Sequence, residues 1–372
     1  MSESLIQYGP KGNSEEIESI LTHIFNTNNK ISNPDIKPTP LCIWGTHGLG
    51  KTEMVRDYAK SRGWQFEYIA PAQFEEMGDL HGMPSIDKSS AVSKTIFNPP
   101  DWVPTKKGPG ILLIDDINRA DDRILRGCMQ LLQNYELSSW KLPEKWQIVA
   151  TANPEGADYS VTPMDDAMLT RMIHTTLIFD HKVWAQWASK SGVDERGISF
   201  VLTYPELVNS ERTTPRSLTQ FFQLIKNIDD LKENIDLVLS LALSTLDEIT
   251  ASSFVNFVSD DLQILVEPDE ILNSTNFNGI KKRIEQLSKD SEGEKRTDRL
   301  STVSTRLYLY LISSNYKTKS NHKENLIQYF LLDFIPKDLT MSLYIDLLKS
   351  SNDDIKEMLR DKRLAKFLID AM

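Results

Sequence analysis

The sequence predicts a doubly wound α/β domain, a parallel sheet covered by helices on both faces, followed by an all-helical region. Three observations predict it. Short apolar runs bounded by glycine or proline alternate with amphipathic stretches between Leu41 and Phe179. A glycine-rich octapeptide follows directly on the first of those runs. From about Leu218 onward, apolar residues recur at helical spacing instead.

Taken in order, residues 1–37 read as an N-terminal helix and linker. Glu15 to Phe25 (EEIESILTHIF) is amphipathic, and the polar stretch Asn26 to Pro40 is a connection. The strand candidates are LCIW (41–44), FEYIA (66–70), ILLI (111–114), WQIVATA (146–152) and HTTLIF (174–179). Unbroken apolar runs of this length suit strands buried on both faces, as in a parallel sheet. After them, Leu218, Phe221, Phe222, Leu224 and Ile225, then Leu237, Leu241, Ala242 and Leu246, keep helical spacing. A charged interval, Lys289 to Arg299, divides this half, and Leu307, Tyr310 and Leu311, then Ile327, Phe330 and Leu331, resume the pattern beyond it. The expected organisation is an α/β domain over 38–216, a helical segment over 217–275 and a helical C-terminal region over 276–372. No internal repeat is visible.

Composition narrows the function. The 372 residues hold 42 basic and 53 acidic side chains, a formal charge of −11, which disfavours generic attraction to nucleic acid or an anionic membrane. Cys42 and Cys128 both lie in apolar stretches and suit small buried hydrophobes in a reducing compartment. The N-terminus lacks a basic region followed by an apolar core, and no run approaches the roughly 18–20 apolar residues of a membrane span, so the expected location is cytoplasmic. Six scattered histidines show no metal-ligand spacing, so no zinc site is expected. Trp184 and Trp187, three apart, read as packing or interface residues rather than base-stacking platforms.

Three stretches carry chemistry. Gly45-Thr46-His47-Gly48-Leu49-Gly50-Lys51-Thr52 fits G-x-x-x-x-G-K-[ST] and lies between the run 41–44 and a helix candidate, Glu53 to Ser61. The glycines let backbone N–H groups turn toward phosphate oxygens, and the helix N-terminus adds positive potential. Lys51 then reaches the β- and γ-phosphates, and Thr52 offers a hydroxyl to Mg²⁺. Ile111 to Ile114 run into Asp115 and Asp116, placing two carboxylates at the C-terminal end of a buried strand, where ligands bind in open α/β sheets. Asp115 would serve Mg²⁺ and Asp116 would orient or deprotonate a water. Alone, that pair is a weak motif, usually a strand running into a helix cap; read with the phosphate loop it becomes strong. Run 146–152 ends in Asn153-Pro154, which places an amide beside the γ-phosphate if this strand lies between the other two, and is otherwise an ordinary turn start.

Together these residues resemble the AAA+ ATPases of the MoxR-like, AAA_5 type, related to the motor domains of dynein and midasin. GTHGLGKT (45–52), GPGILLIDDINRA (108–120), WQIVATANPEGADYSVTPMDDAMLTRM (146–172) and TPRSL (214–218) carry the resemblance, with PPDW (99–102) and the stretch 254–274 beside them. It implies a P-loop NTPase core with a helical lid, ATP as substrate and Mg²⁺ as cofactor. It implies that Asn153 is the sensor 1 amide, that Arg171 reaches the γ-phosphate of a neighbouring subunit, and that Arg216 is the sensor 2 arginine acting within its own subunit. An arginine supplied in trans is worth about 10³–10⁵ in rate. Asn118 and Arg119 follow the carboxylates as in the family, which implies a place at the subunit interface. Pro71 to Pro100 and Tyr135 to Lys145 occupy the positions of the family's helix 2 insert and pre-sensor 1 hairpin; they either face a central pore and touch a client or are plain surface loops. One departure stands out: the family's second acidic residue is usually glutamate, and Asp116 is one methylene shorter.

The reading is a Mg²⁺-dependent ATPase working as a homo-oligomeric ring, most often a hexamer, that remodels a protein client, a class that includes proteins with von Willebrand factor A domains. The alternatives are a nucleotide-gated assembly scaffold with weak hydrolysis, which Asp116 keeps open, and a nucleic-acid motor, which the acidic balance disfavours.

Overall fold

The computed structural model describes residues 6, 8–33, 36–88, 92–156, 161–208, 210, 212–262, 265–289 and 293–371. Residues 157–160 of the stretch 146–172, residues 263–264 of the stretch 254–274, and residues 290–292 of the charged interval lie outside the described residues. The chain divides into two compact units, Met1–Phe179 and Asp180–Met372.

The first unit is built on a six-stranded sheet whose paired strands all run parallel. In chain order the strands are β1 (Lys11–Gly12), β2 (Leu41–Trp44), β3 (Gln65–Ile69), β4 (Gly110–Ile114), β5 (Trp146–Ala152) and β6 (Ile173–Leu177). In space the order is β1-β6-β2-β5-β4-β3, so β5 lies between the strand that precedes the glycine-rich loop and the strand that ends in two aspartates. Every residue of β2, β4 and β5 is buried. Alternation along each strand sorts these side chains into two cores. Leu41, Ile43, Ile111, Leu113 and Val149 face helices α1 (Ser14–Asn28) and α2 (Lys51–Ser61), which contribute Leu21, Phe25, Val55 and Tyr58. Cys42, Trp44, Leu112, Ile114, Ile148 and Ala150 face α3 (Asp122–Asn134), which contributes Ile124, Cys128, Leu131 and Leu132.

Strand β3 departs from the expectation of burial on both faces. It has a single partner, β4, and only Ile69 in it is buried, because an edge strand is covered on one side alone. Helix α1 begins one residue before the amphipathic segment because Asn13 and Glu16 close a capping box at its start. Between β3 and β4 the chain forms a short helix, Met77–His81, and an antiparallel hairpin, Met83–Asp87 with Lys94–Asn98. A two-residue hairpin, Glu136–Leu137 with Trp140–Lys141, precedes β5.

The second unit is helical from His181, with helices at His181–Lys190 and Glu195–Thr203 ahead of Pro215–Ile225 and Ile235–Thr245. Trp184 is buried and packs 6.4 Å from Phe222, whereas Trp187 is half exposed. Phe254 sits at the centre of an aromatic cluster, 4.9 Å from Phe221 and 5.1 Å from Phe200 between ring centres. Among the described residues no helix is long and apolar enough to cross a membrane.

Candidate active site

The site begins where β2 stops. Gly45 donates its N–H to the Ala152 carbonyl (3.2 Å), so the loop leaves the sheet against the end of β5. Gly50 takes a left-handed backbone (φ 86°) as the cap of α2, a conformation that costs glycine least. At Gly45 a side chain would meet the Leu177 carbonyl oxygen at 3.1 Å and the Leu49 side chain at 3.2 Å, so loop and β6 close in on each other only because the position is bare. Leu49 packs onto the α1–α2 core, and His47 projects to the surface. The first N–H groups of α2 have no partner inside the helix, which makes the loop and helix start an anion receptor.

Lys51 is 6% exposed. Its ammonium donates to the carbonyls of Gly45 (2.7 Å) and Thr46 (3.2 Å) and to Oδ1 of Asn153 (3.3 Å), so the buried charge is held by oxygens of the loop and of the neighbouring strand end. Thr52 donates its hydroxyl to Oδ1 of Asp115 at 2.9 Å.

Asp115 is fixed by three hydroxyls. Besides Thr52, Thr151 donates to its Oδ1 (2.6 Å) and Tyr68 to its Oδ2 (3.2 Å). Burial, and then the charge of Asp115, push the Tyr68 phenol above its usual range, keeping it protonated and donating. Asp116 adopts a left-handed backbone (φ 47°, ψ 46°), rare for a residue other than glycine. Its N–H donates to the Thr151 hydroxyl at 2.8 Å. One hydroxyl therefore holds both aspartates: it donates to the first and accepts from the second, and the chain turns sharply between them. Oδ1 of Asp116 accepts from Asn153 Nδ2 (2.8 Å), and Oδ2 lies 3.4 Å from Arg119 Nε.

Asn153, fully buried, thus links the lysine to the second aspartate. Its main chain is held in turn by Asn118, whose Oδ1 accepts the Asn153 N–H (3.0 Å) and whose Nδ2 donates to the Asn153 carbonyl (2.8 Å). This overturns the interface expected of Asn118. Its amide is wholly buried and spent on both main-chain groups of Asn153, so it has nothing to present to another subunit.

The first unit therefore brings Lys51, Thr52, Asp115, Asp116 and Asn153 into one network. It does not bring Arg171 there. That side chain follows the short helix Asp166–Leu169 and bonds to Gln133 (Nε to Oε1, 2.9 Å) and to the Ala167 carbonyl. Arg216 belongs to the second unit, exposed at the second position of Pro215–Ile225. Sequence reasoning missed Thr151 and Tyr68. Thr151 was detectable as a hydroxyl inside the otherwise apolar end of WQIVATA, since a buried polar group must find a partner. Tyr68 carries no such signal.

Residues 40–172 match the AAA domain (dynein-related subfamily). A Rhodococcus erythropolis protein described as an ATP-dependent protease ATP-binding subunit-like protein is 31% identical over 103 residues, which is 26% of this chain and 29% of that protein. The chain thus aligns with less than a third of that curated relative. Among solved structures, the Thermotoga maritima RuvB Holliday junction branch migration motor is similar at a TM-score of 0.39 and 14% identity, over 63% of this chain and 72% of that one. A point mutant of the same motor gives 0.41 and 14%, over 77% and 92%.

Proposed function

Because residues 40–172 match the AAA domain of the dynein-related subfamily, we propose that the protein is an ATPase working as a homo-oligomeric ring, a hexamer, that remodels a partner protein. The observation that carries the reading is the line from Lys51 through Asn153 to Asp116, set beside the Thr52–Asp115 contact. A phosphate-binding cation, a sensing amide and a general base share one network, buried at Lys51 and Asn153 and half-open at Asp116. Thr52 and Asp115 would hold Mg²⁺, since a hydroxyl and a carboxylate are hard oxygen donors of the kind it takes. When bound, that ion neutralises charge on the β- and γ-phosphates.

In this mechanism Lys51 turns from the loop carbonyls to the phosphates. Asp116 releases one of its two partners and accepts a proton from the attacking water, whose oxygen bonds to the γ-phosphorus as the bridging oxygen leaves with ADP. Asn153 keeps Asp116 and the water in register. Arg171 is given to a neighbouring subunit's γ-phosphate, and Arg216 acts on the nucleotide of its own subunit. The client is a partner protein, of the class with von Willebrand factor A domains.

The test is the ATPase rate per subunit against protein concentration, with Mg²⁺. It is expected to rise with concentration in the wild type, to vanish in Lys51→Ala, and to fall by about 10³ or more in Arg171→Ala. A rate independent of concentration and unchanged in Arg171→Ala would remove the ring. One observation favours a second reading, a nucleotide-gated scaffold: Asp116 is short, and both its oxygens are engaged. That reading gains if the wild type binds ATP without turnover and Asp116→Glu restores it.

A further inference from the structure

On the first unit, away from the network just described, the short helix Met77–His81, the hairpin Met83–Asp87 with Lys94–Asn98, and the following Pro99 to Trp102 enclose an open cleft of about 760 Å³. That is within the range of sites that hold a small ligand or a few residues of a peptide. Its apolar lining includes Phe74, Trp102 and Met83, and Met83 is 71% exposed. The Trp102 indole is fixed: its Nε1 donates to the Asp79 carbonyl (3.2 Å), and Trp140 meets it edge-on at 5.4 Å.

The charge in the cleft has one sign. Glu75, Asp79 and Asp101 line it, and none of its lining residues is cationic. Asp79 is partly committed, since its carboxylate accepts the N–H groups of Glu75 and Glu76. Glu75 and Asp101 are exposed and make no ion pair among the described residues. Carboxylates beside an indole suit a cation with an apolar neighbour, because the acid attracts the charge and the aromatic face accepts both parts. The same carboxylates repel a phosphate backbone.

We propose that this cleft binds an extended segment of the client in which lysine or arginine stands next to an aromatic or branched apolar residue. The proposal deepens the remodelling reading, on which it rests for the word client, by assigning the client's chemistry.

Gly78 provides a test that leaves the fold alone. It lines the cleft inside the helix, its backbone is ordinary, and a side chain there would meet no protein atom within 4 Å. Gly82 is the wrong choice, since a Cβ would lie 1.8 Å from the Asn98 carbonyl oxygen.

The experiment measures fluorescence anisotropy of a labelled decapeptide alternating lysine with phenylalanine and leucine, against the full chain. Two control peptides replace the lysines by glutamate or the apolar residues by serine. Binding of a fluorescent ATP analogue is followed in the same samples. The first peptide is expected to bind and the controls to fail. Gly78→Phe and Asp101→Lys are each expected to weaken binding by about tenfold or more, with the ATP analogue bound as before. Equal binding of all three peptides, wild-type affinity in Gly78→Phe, or preference for a labelled single-stranded DNA would overturn the proposal. Absence of ATP turnover in the rate assay described above, with the peptide pattern intact, would overturn the ATPase reading and leave the cleft standing.

Discussion

The two units bury polar groups in different ways. In the first, Thr52, Thr151, Tyr68, Asn153 and Lys51 interlock at one place at the ends of β2, β4 and β5, with smaller sets elsewhere such as the buried Asn28–Gln147 pair at 2.8 Å. In the second the polar groups are dispersed as small sets between helices. Thr203 meets Thr302 at 3.1 Å, Ser304 meets Tyr329 at 2.8 Å, and Asp247 gathers Ser210, Thr213 and Thr250. Converged polarity preorganises chemistry, whereas dispersed polarity fixes which helix lies on which.

That contrast can be broken from either side. The largest effect is expected in the second unit from Phe254→Ala, which empties the centre of the aromatic cluster and should cost about 3–5 kcal/mol, read from urea unfolding followed by far-ultraviolet circular dichroism. A cost under 1 kcal/mol would mean that the cluster is not the unit's core. Next, Thr151→Val keeps the shape of the side chain but frees both aspartates. Turnover should fall about 10²-fold, while Thr302→Val, the same exchange in the second unit, should leave kcat unchanged. If both variants turn over alike, polarity at the strand ends is structural too.

A smaller effect follows from pH. Burial works against the charge on Asp247, but hydroxyls of Ser210 and Thr213 and the N–H of Thr250 outweigh it and lower the carboxyl from 3.8 to about 2. With the folded-state value below the unfolded one, the stabilisation is complete above about pH 4 and is lost as pH falls through 2. The urea midpoint should therefore drop over that window, and drop less in Asp247→Asn. The smallest change is expected from Arg283→Ala. Its pair with Glu270 at 3.1 Å is nearly half exposed at both ends and should be worth at most about 0.5 kcal/mol.

The sheet was legible because LCIW, ILLI and WQIVATA are too apolar for any place but between two layers. The octapeptide and the Asp115–Asp116 pair were legible because phosphate and metal binding demand those residue types at those strand ends. Other features were not. The strand Lys11–Gly12 and the hairpin Met83–Asp87 with Lys94–Asn98 are short, and their residues are mixed and largely exposed, so local pattern says little. The positive φ of Asp116 is imposed by its partners Thr151 and Asn153, which lie 35 and 37 positions away in the sequence. Asn118 was misread because a family position says nothing about burial.

Asn118 also acts as a splice. Its side-chain amide stands in for a peptide group, adding one more rung to the ladder after β4 and β5 have run out of main chain to pair. Its own carbonyl meanwhile accepts the N–H of Thr162 at 2.7 Å. Asn153 cannot shift without either tearing that rung or carrying Thr162 with it. A main-chain shift of Asn153 is thereby passed to the stretch of chain that leads to Arg171.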